Sequence, residues 1–83
     1  MKLPRDISGE ELAGLLRKFG YEITRQTGSH IRLTSYFTGK EHHVTIPRHE
    51  SLKIGTLSNI LKDIALHLGI SSRKIIEDLF YKR

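Results

Sequence analysis

Apolar residues first recur at helical spacing. Leu12, Leu15, Leu16 and Phe19 form one stripe. Ahead of them, Ser8-Gly9-Glu10-Glu11 reads as a capping box, in which the Ser side chain accepts from the third helical amide and Glu11 reaches back. Gly20 is a natural stop, because it tolerates a left-handed conformation. The spacing predicts a helix over 9–19. The period then changes to two. Tyr21, Ile23 and Arg25 alternate with Glu22, Thr24 and Gln26; Ile31 and Leu33 alternate with His30, Arg32 and Thr34; Val44 and Ile46 alternate with His43 and Thr45. Three short, half-buried strands follow from this pattern. Thr27-Gly28-Ser29 is short enough for a hairpin turn with a left-handed Gly28. Phe37-Thr38-Gly39-Lys40 is a longer hairpin tip, and Pro47 ends the third strand because it cannot donate to a ladder.

Residues 48–55 read as a loop. A second helix is predicted from about Thr56, with Leu57, Ile60, Leu61, Ile64 and Leu68 on one face and Gly69 at its end. Ser71 or Ser72 caps a last short helix that turns Ile75, Ile76, Leu79 and Phe80 inward. The order is α-β-β-β-α-α, a single α+β domain over residues 1–83. Its three-stranded antiparallel sheet is covered on one face by the first two helices. Parity leaves the other face open and places His30, Arg32, Thr34, His43 and Thr45 on it. Strict alternation puts Arg25 on the opposite side, with Tyr21 and Ile23.

Composition narrows the function. The chain has 83 residues, 37 % hydrophobic, which suffices for one small core. No cysteine is present, so disulfides and thiolate metal sites are excluded. No apolar run approaches the ~18 residues of a membrane span. The start, Met1-Lys2-Leu3-Pro4-Arg5-Asp6, lacks a signal-peptide core, and a cytoplasmic location is expected. Fourteen Lys and Arg against nine Asp and Glu give +5. Such a charge either favours a polyanion such as nucleic acid or only keeps the surface hydrated.

The open face carries the candidate chemistry. His30 follows directly on the Gly28-Ser29 turn, and Arg32 stands two residues on. An imidazole with an ordinary pKa of ~6.5 exchanges protons at neutral pH. A guanidinium holds phosphate. Together they suit metal-free cleavage of an RNA phosphodiester by its own 2′-hydroxyl. The same residues also read as ordinary polar positions on an exposed strand. Ser29 reads equally as a phosphate donor, a partner for His30 or a turn residue. His43 shares the face with His30 and is a candidate for a second proton-transfer group or a phosphate contact. Arg25, Arg32, Lys40, Arg48, Lys53 and Lys62 are candidate RNA contacts, with Tyr36 and Phe37 at the hairpin tip as stacking platforms. No metal site is expected. His42 and His43 are adjacent and point to opposite faces, and no HxH or HExxH pattern occurs.

The run "TGSHIRLTS", followed by "HVTIPRHESLKIGTLSNILKDI", resembles the HicA family of mRNA-cleaving toxins from toxin–antitoxin pairs. The matching features are Gly28-Ser29-His30, Val44-Thr45-Ile46-Pro47, Ile54-Gly55-Thr56-Leu57 with Ile60-Leu61-Lys62, the Gly20 stop and the Ile70-Ser71 opening. They span about Ile7 to Leu79, with Met1–Arg5 as a short extra arm. The resemblance implies a double-stranded-RNA-binding-domain-like fold, α-β-β-β-α, with an extra C-terminal helix. It implies a metal-independent endoribonuclease with His30 as its catalytic group and no cofactor. It also implies that a HicB-type antitoxin covers the His30 face. The toxin alone is expected to be a monomer and the complex a hetero-oligomer. The alternative is a non-catalytic RNA-binding module of the same fold. Such a module normally opens its last long helix with a Lys cluster, whereas this helix opens Thr56-Leu57-Ser58-Asn59.

Overall fold

The computed structural model describes residues 2–36 and 39–81. Helix α1 (Gly9–Leu15) starts on the capping box read above. The Ser8 hydroxyl accepts from the Glu11 amide at 3.0 Å, and the Glu11 carboxylate accepts from the Ser8 amide at 3.0 Å. The helix tightens into a 3-10 turn (Leu16–Phe19) and stops at Gly20, whose φ is 83°. Strands β1 (Glu22–Gln26), β2 (His30–Ser35) and β3 (His42–Pro47) form one antiparallel sheet in the order β1-β2-β3. Helix α2 (Ile54–Leu68) begins two residues before the expected Thr56 and ends at Gly69, with φ 71°. Helix α3 (Ser72–Ile76) is capped by Ser71, whose hydroxyl accepts from the Lys74 amide at 3.1 Å. It continues as a π-helical turn (Glu77–Tyr81). The architecture is α+β with the α-β-β-β-α arrangement of a double-stranded-RNA-binding-like domain, plus the extra helix.

The core lies between sheet and helices. Ile31, Leu33, Val44 and Ile46 project from the sheet against Leu12 and Leu16 of the first helical segment and Leu57, Leu61 and Ile64 of α2. Ile75 and Leu79 close its far side. Each fully buried side chain of this size contributes about 1.5–3 kcal/mol of transfer free energy. The arm before α1 is packed down: the Lys2 carbonyl accepts from the Tyr81 hydroxyl, and the Arg5 carbonyl accepts from Ser51 Oγ at 3.0 Å.

Gly9 is a position where a side chain is forbidden by space. A Cβ there would stand 2.0 Å from the Pro47 carbonyl oxygen, and the Gly9 amide donates to the His49 carbonyl at 2.9 Å. The start of α1 is thereby pressed against the end of β3.

Two expectations for the sheet need correction. First, β1 does not alternate strictly. The pairing runs Ile23 with Leu33, then Arg25 with Arg32, so Thr24 is an extra residue in a β-bulge. Directly opposed residues share a face, so Arg25 stands beside Arg32 on the open side and not with Tyr21 and Ile23. Second, Thr34 has the expected parity but only 2 % exposure. Its hydroxyl is closed over by Thr24 Oγ1 and His43 Nδ1, each 2.8 Å away. The helices pack on β2 and β3, which leaves Ile23 at the β1 edge 47 % exposed.

Candidate active site

His30 is the first residue of β2 and is exposed. Thr27 sets its backbone. The Thr27 hydroxyl oxygen accepts from the amides of Ser29 (3.3 Å) and His30 (3.1 Å), and the Thr27 amide donates to the His30 carbonyl at 2.9 Å. Such Ser/Thr turns use a side chain where a backbone carbonyl would otherwise serve. On the ring, Nδ1 lies 2.9 Å from Ser29 Oγ. Nε2 has no protein partner among the described residues. Either the Ser29 hydroxyl donates to Nδ1 or an Nδ1–H donates to Ser29 Oγ, and in both cases the bond fixes the ring's orientation with Nε2 facing outward.

Gly28 does not adopt the expected left-handed conformation. The positive-φ glycines of the described residues are Gly20, Gly39 and Gly69. A Cβ at Gly28 would meet nothing within 4 Å. The turn is held by Thr27 and, from behind, by Arg48. The Arg48 amide donates to the Ser29 carbonyl at 2.9 Å, its Nη1 to the Thr27 carbonyl at 2.8 Å, and its Nη2 to Glu10 at 2.6 Å. Arg48, expected among the RNA contacts, is thus committed to a clamp between the turn and α1. Sequence reasoning missed Thr27, Glu10 and this role of Arg48. The Thr27 spacing was a readable turn signal. The Glu10–Arg48 pair, 38 residues apart, left none.

Beside His30 the open face carries a row of three residues, Arg25, Arg32 and Thr45, one from each strand. Neither arginine has a carboxylate partner among the described residues. Like charges directly opposed across strands destabilise a sheet, and an anion between them reverses the sign. His43 pairs with Thr34, four residues along β2 from His30. That is about 13 Å at strand rise, too far to share one scissile bond. Its Nε2 lies 2.5 Å from the Glu41 carboxylate. Lys40 and Tyr36 are exposed at that same far end. The expectation for Phe37 falls outside the described residues. Lys53 and Lys62 belong to the helix layer, behind the sheet.

A second polar cluster lies under the helices. Tyr21 Oη and His42 Nδ1 are 2.7 Å apart, His42 Nε2 lies 3.3 Å from Asp63, and the His42 and His67 rings stack at 4.3 Å. Burial, then the Asp63 charge, pushes the Tyr21 phenol far up. Burial, then the neighbouring His42, pushes His67 down, against the pull of Asp63. Among the described residues no group of three or more His, Asp or Glu is placed to hold a metal ion. No helix among them is long and apolar enough to cross a membrane.

The fold is a small α+β domain with a histidine and paired arginines on its open sheet face. Comparison with protein families places it further. Residues 9–66, from the start of α1 to near the end of α2, match the model described as the HicA toxin of bacterial toxin–antitoxin systems. The chain belongs to the HicA toxin family and is the toxin of such a pair, which implies an antitoxin partner. Searches of curated proteins and of solved structures returned no match.

Proposed function

We propose that this toxin is a metal-independent endoribonuclease that cuts mRNA in the cytoplasm and arrests translation. A HicB-type antitoxin laid over the His30 face silences it, as a hetero-oligomer with an otherwise monomeric toxin. The observation that carries the reading is the His30 ring, held at Nδ1 by Ser29 and open at Nε2, one residue row from two arginines that have no carboxylate partner among the described residues. The 2′-hydroxyl of the RNA attacks the adjacent phosphorus, and the 5′-oxygen of the next nucleotide leaves. His30 Nε2 takes the proton from the first or gives one to the second, and water exchanges the other proton. Arg32 and Arg25 hold the non-bridging oxygens, where charge builds up. The products are a 2′,3′-cyclic phosphate and a free 5′-hydroxyl.

One positioned acid or base contributes roughly 10²–10⁴-fold. His30→Ala is therefore expected to lose cutting by at least about a hundredfold on end-labelled mRNA in excess EDTA. Its circular dichroism should match wild type, since His30 buries nothing. Loss of cutting by wild type in EDTA would sink the metal-free reading. RNA retained on a gel but cut by neither protein would turn it into a binding module.

A further inference from the structure

Gly28 is a glycine that neither its backbone nor its packing demands. Its φ is not left-handed, a Cβ would meet open space, and its amide and carbonyl have no hydrogen-bond partner in the protein among the described residues. Glycine at such a position serves close approach of a ligand to the backbone. The open space beside it is a hollow of about 240 Å³, on the α1 side of the His30 turn, bounded by Ser8, Glu10, Gly28, Arg48, His49 and Glu50. That is smaller than the ~300–1,000 Å³ of pockets for drug-sized ligands, and it suits one planar ring system.

The polar groups in its wall differ in availability. Glu10 and Arg48 are paired with each other. The Glu50 carboxylate has no ion-pair or hydrogen-bond partner among the described residues. His49 is exposed, with its ring unstacked, and offers a face for a base to stack on. A carboxylate beside a phosphate-binding face weakens binding of RNA unless a base compensates for it. A carboxylate only accepts hydrogen bonds, through two parallel oxygens. Among the bases of RNA, guanine alone presents two neighbouring N–H donors on its Watson–Crick edge. Adenine, cytosine and uracil each set an acceptor next to their donor, and that acceptor faces the second carboxylate oxygen with repulsion.

We infer that this hollow is the seat of an unpaired guanine next to the cleaved phosphate, with Glu50 reading its Watson–Crick edge and Gly28 leaving room for its entry. The inference rests on the nuclease reading for its place in the reaction, but base binding can be measured without cutting. The experiment uses full-length His30→Ala protein and the pentanucleotides UUGUU, UUAUU, UUCUU and UUUUU, followed by amide chemical shifts and fluorescence anisotropy.

UUGUU is expected to move the Gly28, His49 and Glu50 amides and to bind at least about fivefold tighter than the others, the lower end for one bidentate base contact. Glu50→Gln should remove the preference. So should Gly28→Leu, which fills the hollow without a backbone clash. Equal affinities, or shifts confined to the Arg25–Arg32 row, would overturn the seat. A guanine preference in a protein whose wild type cuts nothing would leave the seat standing and remove the nuclease. Cutting by wild type with no such preference would do the reverse, and no RNA binding at all would remove both.

Discussion

Thr27 is a small residue with a large share of the site's geometry. One oxygen accepts two amides, and those amides belong to the two residues that carry and orient the imidazole. Thr27→Val keeps the shape and removes the acceptor. Because the turn is exposed, water takes over the amides, and the loss of stability should stay near 1 kcal/mol. Cutting should fall further than stability does, about tenfold or more in kcat with little change in KM, since a misaimed base is lost in the transition state. Thr27→Ser should restore it. Steady-state kinetics of the three proteins, with thermal unfolding alongside, check this. A rise in KM with kcat unchanged would mean that Thr27 holds RNA and does not aim His30.

At the scale of elements, two contacts transmit to the site. Gly9 lets α1 touch the end of β3, and Glu10 then reaches Arg48 and through it the His30 turn. Gly9→Ala puts a methyl against a carbonyl oxygen, so one element must move. Overpacking of this kind costs about 1–3 kcal/mol. The melting temperature should drop by several degrees, roughly 4–8 °C per kcal/mol for a domain of this size, and cutting should fall with it. The second contact is the His42–His67 stack between β3 and α2, with Tyr21 and Asp63 around it. The folded state depresses the His67 pKa, so it binds fewer protons than the unfolded chain. Stability from this group is complete above the ordinary value of ~6.5 and is lost as pH falls through it toward the folded pKa. Urea midpoints should therefore fall between about pH 7 and pH 5, and His67→Asn should flatten that slope.

The elements also show what a sequence can carry. The capping box, the Gly20 and Gly69 stops, and the strands β2 and β3 were legible because core burial enforces their periods. β1 holds a single apolar residue at the edge, so nothing in its pattern marks the bulge, and strict alternation puts Arg25 on the wrong face. The face on which His30 stands was legible because Ile31 and Leu33 force its parity. The clamp behind it was not, because Arg48 and Glu10 meet only once the chain has folded. Gly28 looked like a backbone requirement, and its conformation shows that it is none.

The whole molecule has two unlike layers. Helices and the inner sheet face hold the fold, while the outer face carries His30, Arg25 and Arg32 on side chains that bury little. On the proposed reading, RNA binding by this face is an exchange of counterions for phosphates. For single strands the logarithm of affinity falls with the logarithm of salt by about 0.7 per phosphate neutralised. Arg25→Gln and Arg32→Gln should each flatten that slope by about this amount, whereas Lys62→Gln, on the helix layer, should not. Anisotropy titrations at four salt concentrations decide it.

β1 buries none of its five residues, so its one core anchor is Tyr21, buried just ahead of it, and a slip beyond the bulge meets no core contact within the strand. Past Tyr21, its register is held by ladder hydrogen bonds and by Thr24, which bonds to Thr34 across the bulge. In a slipped register Arg25 leaves the outer face and Arg32 stands alone. On the proposed nuclease reading, strand register and RNA affinity are linked equilibria. A phosphate gripped by both guanidiniums selects the bulged population, and the apparent dissociation constant rises in inverse proportion to the fraction of molecules already in it.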